Sequence, residues 1–198
     1  MNEKERFTKY VWPKVKDFFN KYGPANYDGY QKGKGWLGPY IWSENGDTVK
    51  VITRFCEEEF GWDIVHNESK ICKYMYANFP LKGETAKERK SIDIDITNAK
   101  KCKNAKDFRN LKHTLFIEVK HIKKGAIYND PNKKKEGFIN DCAKLQKQLD
   151  LKRCGYAIAI LIDDGDENGE PFIKKCDKLK NEIKKCCPDV EPLIWQKN

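Results

Sequence analysis

Between Gly155 and Ile162 the chain reads Gly-Tyr-Ala-Ile-Ala-Ile-Leu-Ile, and Tyr156 to Ile162 is its longest uninterrupted apolar run. The run is far short of the ~20 residues a membrane helix needs. Its lack of polar alternation fits a strand buried on both faces, as in sheets covered by helices. Around it, stretches of helical and strand-like periodicity follow one another as helix, three strands, helix, strand. That order predicts an α/β layered fold around a mixed β-sheet.

The first 22 residues place Phe7, Tyr10, Val11, Val15, Phe18, Phe19 and Tyr22 at helical spacing, with Pro13 expected to kink or restart the helix. Residues 23–42 alternate glycines with Tyr27, Tyr30, Trp36, Tyr40 and Trp42, the texture of a loop or arm. Ser43 stands as an N-cap, with Glu44 and Asp47 suited to the positive end of the next helix. Its inward stripe is Val49, Ile52, Phe55, Cys56 and Phe60, and Gly61 ends it. Strand-like pieces are expected at 62–66, less clearly at 71–79, then at 91–97 and 114–122. A helix is expected over about 136–151, a strand over 155–162, and a last helix carrying Phe172, Ile173, Cys176, Leu179 and Ile183 inward. A short strand over 190–195 closes the chain. The expected organisation is an N-terminal helix and aromatic arm (1–42) packed on a domain spanning 43–198. That domain has a core at 43–163 and a C-terminal helix and strand at 164–198.

Charge narrows the function. The 198 residues have mean hydropathy −0.83 and net charge +9. Lys100, Lys101, Lys103, Lys106, Arg109, Lys112, Lys120, Lys123, Lys124, Lys133, Lys134 and Lys135 face only Asp107, Glu118 and Asp130 in that stretch. The excess there equals the net charge of the whole chain. Clustering of this kind is the electrostatic footprint of a protein that meets a polyanion, and nucleic acid is the expected partner. The opening Met1–Arg6 has no apolar stretch, so no secretory signal is expected. The eight cysteines form no C-x-x-C pair and no zinc-type spacing with histidine, which suits reduced thiols and a cytoplasmic location.

One constellation carries chemistry. Ile92-Asp93-Ile94-Asp95-Ile96 alternates cleanly, so Asp93 and Asp95 share one face of their strand. In Leu115-Phe116-Ile117-Glu118-Val119-Lys120, Glu118 and Lys120 share a face in the same way. Other acid-x-lysine triplets occur, but only this one lies in an apolar strand that follows another strand with acids on one side. Neighbouring strands could thus gather carboxylates and an ammonium. Mg²⁺ is a hard ion usually held by one or two carboxylates together with water and substrate phosphate.

On these residues the chain resembles the PD-(D/E)XK, or restriction-endonuclease-like, nuclease superfamily over roughly residues 43–163. The resemblance implies that fold's αβββαβ core and Mg²⁺-dependent (or Mn²⁺-dependent) hydrolysis of phosphodiester bonds. It implies Asp93, Glu118 and Lys120 as the catalytic set. Asp93, Glu118 and the Val119 carbonyl would hold the metal, Glu44 would support a second ion, and Asp95 competes with Asp93. Lys144 falls where some members carry an extra polar residue. Ser91-Ile92 stands where the family has a proline before the aspartate, and a lysine-rich insert lengthens the gap from Asp93 to Glu118. The basic residues from Lys100 to Lys112, with Lys123, Lys124, Lys133, Lys134, Lys135 and Lys144, would contact nucleic acid. The expected substrate is DNA, ahead of RNA or of a binding module that has lost catalysis. No membrane partner is expected, and a homodimer is left open. His121 follows Lys120 but points to the opposite strand face, which suits a core role.

Overall fold

The computed structural model describes residues 1–22, 30–31, 35–36, 47–67, 92–98, 113–122, 131–165 and 170–196. Its centre is an open five-stranded mixed sheet made of β3 (Val65–Asn67), β4 (Ile94–Ile96), β5 (His113–Ile122), β6 (Cys154–Asp163) and β7 (Val190–Gln196). The strands lie side by side in that order. The β3–β4 and β4–β5 pairs are antiparallel, while β5–β6 and β6–β7 are parallel. Helices cover both faces, so the α/β expectation holds. A separate two-strand ribbon pairs β1 (Tyr30–Gln31) with β2 (Gly35–Trp36) inside the stretch expected to be irregular. Two-residue strands are too short to leave a periodicity in sequence. The strand expected at 71–79 lies outside the described residues.

The apolar run behaves as its sequence dictates. Every residue from Ala157 to Asp163 of β6 is buried, because both neighbouring edges are paired and both faces are covered. One face packs on α1 (Glu3–Arg6), a π-helical turn (Phe7–Val11), α2 (Trp12–Tyr22) and α3 (Val49–Phe60). There Phe7, Val11, Val15 and Phe19 join Ile52 and Cys56 against Leu115, Ile117, Ile158 and Ile160. The N-terminal helices are therefore part of the core layer. Trp195 Nε1 donates to Asn20 Oδ1 at 2.9 Å and ties β7 to α2.

Pro13 leaves the helical run continuous. Proline cannot donate to the carbonyl four residues back and its ring crowds that carbonyl. The preceding π turn, in which Trp12 N–H reaches Phe7 O, widens the backbone where this conflict falls. Gly61 terminates α3 as expected, at φ 101°, a conformation that favours glycine.

The other face packs on α4 (Pro131–Asp150) and α5 (Cys176–Cys186). Phe138, Cys142 and Leu145 of α4 and Leu179 and Ile183 of α5 meet Phe116, Ile122, Ala157, Ala159 and Leu161. α4 begins at Pro131, five residues before the expected start. Proline is favoured at the first helical position, where its missing N–H has no intrahelical partner to lose. Lys133, Lys134 and Lys135 consequently lie inside the helix and not ahead of it. α5 begins later than expected. Phe172 and Ile173 precede it, because the Asp163 carboxylate accepts their backbone N–H groups at 3.3 and 2.9 Å. Gly165 N–H and Gln196 Nε2 complete the set on the same carboxylate, locking the connection after β6 onto β7.

Candidate active site

The site is built where β4 stops short of the end of β5. Ile94, Asp95 and Ile96 pair with Ile117, Phe116 and Leu115, so β5 from Glu118 onward has lost its β4 neighbour. Val119 N–H, which a longer β4 would have engaged, donates instead to Asp93 Oδ2 at 2.7 Å. The Asp93 carboxylate is thus positioned by the main chain of the very strand that carries Glu118 and Lys120. Two-residue alternation turns Glu118 and Lys120 to the face covered by α4, away from the Ile117 and Val119 side chains.

α4 answers with a polar row at helical spacing: Gly137, Asp141 and Lys144. Lys144 Nζ is ion-paired to Glu118 Oε1 at 2.6 Å. Asp141 Oδ2 lies 3.2 Å from Lys120 Nζ, and Asp141 Oδ1 lies 3.9 Å from Lys144 Nζ. Gly137 lies against the Lys120 stem, where an added Cβ would meet Lys120 Cε at 3.5 Å, an ordinary contact distance. Three carboxylates and two ammonium groups therefore share one notch between β5 and α4.

The electrostatics of the notch centre on Glu118, which is only 4% exposed. Burial, then the negative charge of Asp93, push its carboxyl well above the usual carboxylate range, and Asp141 adds to this. Lys144 acts in the opposite direction, by charge and by hydrogen bonding. A carboxylate disfavoured by its surroundings, next to a second carboxylate, is the kind of group a cation would stabilise. Among the described residues no three His, Cys, Asp or Glu side chains converge as a metal cage. A pair of carboxylates is nevertheless what Mg²⁺ commonly takes from a protein, because it keeps several of its waters. Asp93 and Glu118 fit that smaller requirement.

Several expectations take other places. Asp95 does not join the notch. It is fully buried, with Oδ1 accepting from Thr97 Oγ1 at 2.6 Å and Oδ2 paired to His113 Nδ1 at 2.7 Å. Both oxygens are committed near the start of β5, which corrects its candidacy as a ligand. Lys144, expected to meet nucleic acid, is turned inward onto Glu118, with 10% of its side chain exposed. Glu44, the basic residues from Lys100 to Lys112, and Lys123 and Lys124 lie outside the described residues. His121 does occupy the opposite face. Its Nδ1 lies 2.8 Å from Thr48 Oγ1 and its Nε2 lies 2.5 Å from Asp164 Oδ2, with all three residues fully buried.

Asp141 is the site residue that sequence reading missed. Its signal was present, because Asp141 and Lys144 border the apolar stripe of Phe138, Cys142 and Leu145. An acid beside an inward stripe is also an ordinary helix surface residue, and only the docking of α4 on β5 separates the two.

The fold and notch define an α/β protein with an open mixed sheet and a carboxylate–lysine cluster at the end of a strand pair. No protein family, curated protein or solved structure matches the chain.

Proposed function

We propose that the protein is a Mg²⁺-dependent endodeoxyribonuclease with a restriction-endonuclease-like core, and that Asp93, Glu118 and Lys120 are its catalytic residues. The observation that carries this reading is the coupling of Asp93 to β5. One hydrogen bond to Val119 N–H sets this carboxylate beside Glu118, whose ionisation it opposes. The element order α3, β3, β4, β5, α4, β6 supports the core assignment.

Asp93, Glu118 and the Val119 carbonyl would hold the metal, and Mn²⁺ suits the same oxygen donors. A bound ion would polarise the phosphoryl oxygen and make the attacking water acidic enough to act near neutral pH. The chain's own groups supply the rest. Lys120 orients the water and offsets the negative charge that develops on the phosphoryl group. Asp141, ion-paired with Lys120, holds that ammonium in place. Lys144 is ion-paired to Glu118, and a cation held by Glu118 would free that ammonium for a substrate phosphate.

A second reading has its own observation. Asp93 already accepts a backbone N–H and Glu118 already has Lys144, so the notch is a stable arrangement for a nucleic-acid-binding module without catalysis. Supercoiled plasmid and single-stranded RNA, incubated with Mg²⁺ or Mn²⁺, separate the possibilities. The intact protein should nick plasmid, and Lys120→Ala and Asp93→Ala should each lower the rate on the order of 10²–10³-fold, as removal of one transition-state donor does. Preferred cleavage of RNA would move the substrate. Equal rates in all three proteins would refute the assignment. Absence of cleavage together with no calorimetric binding of Mn²⁺ would favour the binding module.

A further inference from the structure

The second feature of the α4 face is a groove of about 960 Å³ between the N-terminal half of α4 and α5. Its walls carry Lys135 from α4, Lys174 and Lys175 from the segment before α5, and Lys178 and Lys185 from α5. Among the described residues Glu182 is the one acid on the lining, and it lies 3.9 Å from Lys135 across the opening. Lys174, Lys175, Lys178 and Lys185 are exposed and make no ion pair among the described residues. Phe172 and Leu179 line the groove between the lysines.

We propose that this groove is a binding track for the phosphate backbone of nucleic acid, with Lys174, Lys175, Lys178 and Lys185 as its contacts. All four of these lysines lie outside the basic stretch from Lys100 to Lys135, so the sequence-level charge cluster does not mark the track. Lys178 and Lys185 are seven residues apart on one helix, a span of about 10 Å. One nucleic-acid strand carries a phosphate every ~3.4 Å along a duplex axis, so α5 alone runs beside about three of them.

The helix opposite points the same way. α4 has no acid in its first turn but has lysines at 133 to 135, where the positive end of the helix dipole disfavours cations. Of the three, Lys135 lines the groove, where an anion would offset its charge. A membrane surface fits less well. The site is concave, and the exposed large apolar residues among those described (Met1, Tyr10, Tyr22, Trp62 and Leu151) lie elsewhere. α4 also joins the groove to the notch, because Lys135 precedes Gly137, Asp141 and Lys144 on the same helix.

The choice of ligand rests on the nucleic-acid reading of the notch, so the test excludes catalysis. The 198-residue Lys120→Ala protein in EDTA is titrated with a short labelled DNA duplex over a range of salt concentrations. Adding Lys174→Ala, Lys175→Ala, Lys178→Ala and Lys185→Ala should flatten the dependence of log K on log salt by about 3.6. At about 0.15 M salt that corresponds to a loss of affinity on the order of 1,000-fold, given a slope of about 0.9 per phosphate contact. Alanines at Lys9, Lys14, Lys16 and Lys50, on the opposite side of the sheet, remove the same charge and should change the slope by less than about 1.

An unchanged slope in the groove variant overturns the track. So does an equal loss in the control, which would reduce the effect to net charge. Groove-dependent binding of phosphatidylserine vesicles with an unchanged DNA slope would overturn it in favour of a membrane. A protein that fails to cut plasmid yet shows the groove-dependent slope would refute the nuclease and leave the track standing.

Discussion

Lys144→Met tests the electrostatics of the notch directly. In the native protein Glu118 is buried, opposed by Asp93 and Asp141, and relieved by Lys144 at 2.6 Å. Methionine keeps much of the stem volume and removes the ammonium, leaving a buried carboxylate beside two others. Breaking one side of a buried ion pair typically costs about 3–5 kcal/mol. The side chains are only 10% and 5% exposed, so solvent offsets little of this. The pH dependence has a definite sign. The Glu118 carboxyl is raised in the folded state above its ordinary value of 4.5, so folding favours its protonated form. Relative to the native protein the loss is therefore smallest in acid, where the folded carboxyl is protonated in both. It grows only once pH passes the native carboxyl's own raised value, and levels off when the variant's carboxyl has ionised too. Glu118→Gln removes the titrating group. That variant should lose less stability than Lys144→Met at neutral pH, because Lys144 keeps Asp141 at 3.9 Å, and the Glu118→Gln/Lys144→Met double variant should recover most of the loss. Urea unfolding at acidic and slightly alkaline pH measures all four proteins. If Lys144→Met lost as much stability in acid as in base, or if Glu118→Gln were equally damaging, Glu118 would not be a strained carboxylate.

On the other face, His121→Ala strands Thr48 and Asp164 in the core and should destabilise the fold by about 3 kcal/mol or more in urea. Its rate per folded molecule on plasmid should stay near native, because it does not line the notch. Gly137→Ala should raise stability by about 0.5–1 kcal/mol, since the helix gains a better former and the new methyl meets Lys120 Cε at an ordinary contact distance.

The parts of the fold visible in the sequence were those set by local pattern. The apolar run at 156–162 reads as a covered strand, and the Phe138–Leu145 stripe predicted the face it buries. The Ile92–Ile96 alternation did so only in part, because Ile94 and Ile96 join the layer under the N-terminal helices while Ile92 packs on the α4 side and Asp95 is buried as well. What stayed hidden depended on contacts distant in sequence. The late start of α5 follows from Asp163 capturing backbone groups ten residues on. The fate of Asp95 follows from His113, eighteen residues away, so the alternation gave Asp93 and Asp95 the same standing. The role of Asp141 required knowing which strand α4 covers. The π turn ahead of Pro13 shows a local rule correctly sensing a conflict, while the backbone resolved it by widening and not by breaking.

Fold and candidate site depend on a single alternation in β5. Ile117, Val119 and His121 face the N-terminal helices, while Glu118 and Lys120 face α4. A shift of β5 by one residue would drive Glu118 and Lys120 into a layer of isoleucines, leucines and phenylalanines, where unpaired charges are prohibitive. The same shift would expose Ile117 and Val119 to the polar row of α4. The parallel ladder to β6 and the antiparallel ladder to β4 both oppose such a slip, since Glu118 is registered against Ala159 and Ile117 against both Ile158 and Ile94. That double constraint is what lets the notch keep a carboxylate in an unfavourable protonation environment. The large apolar layers on either side of β5 hold the strand fixed, so the electrostatic cost at Glu118 can persist without the strand moving to relieve it.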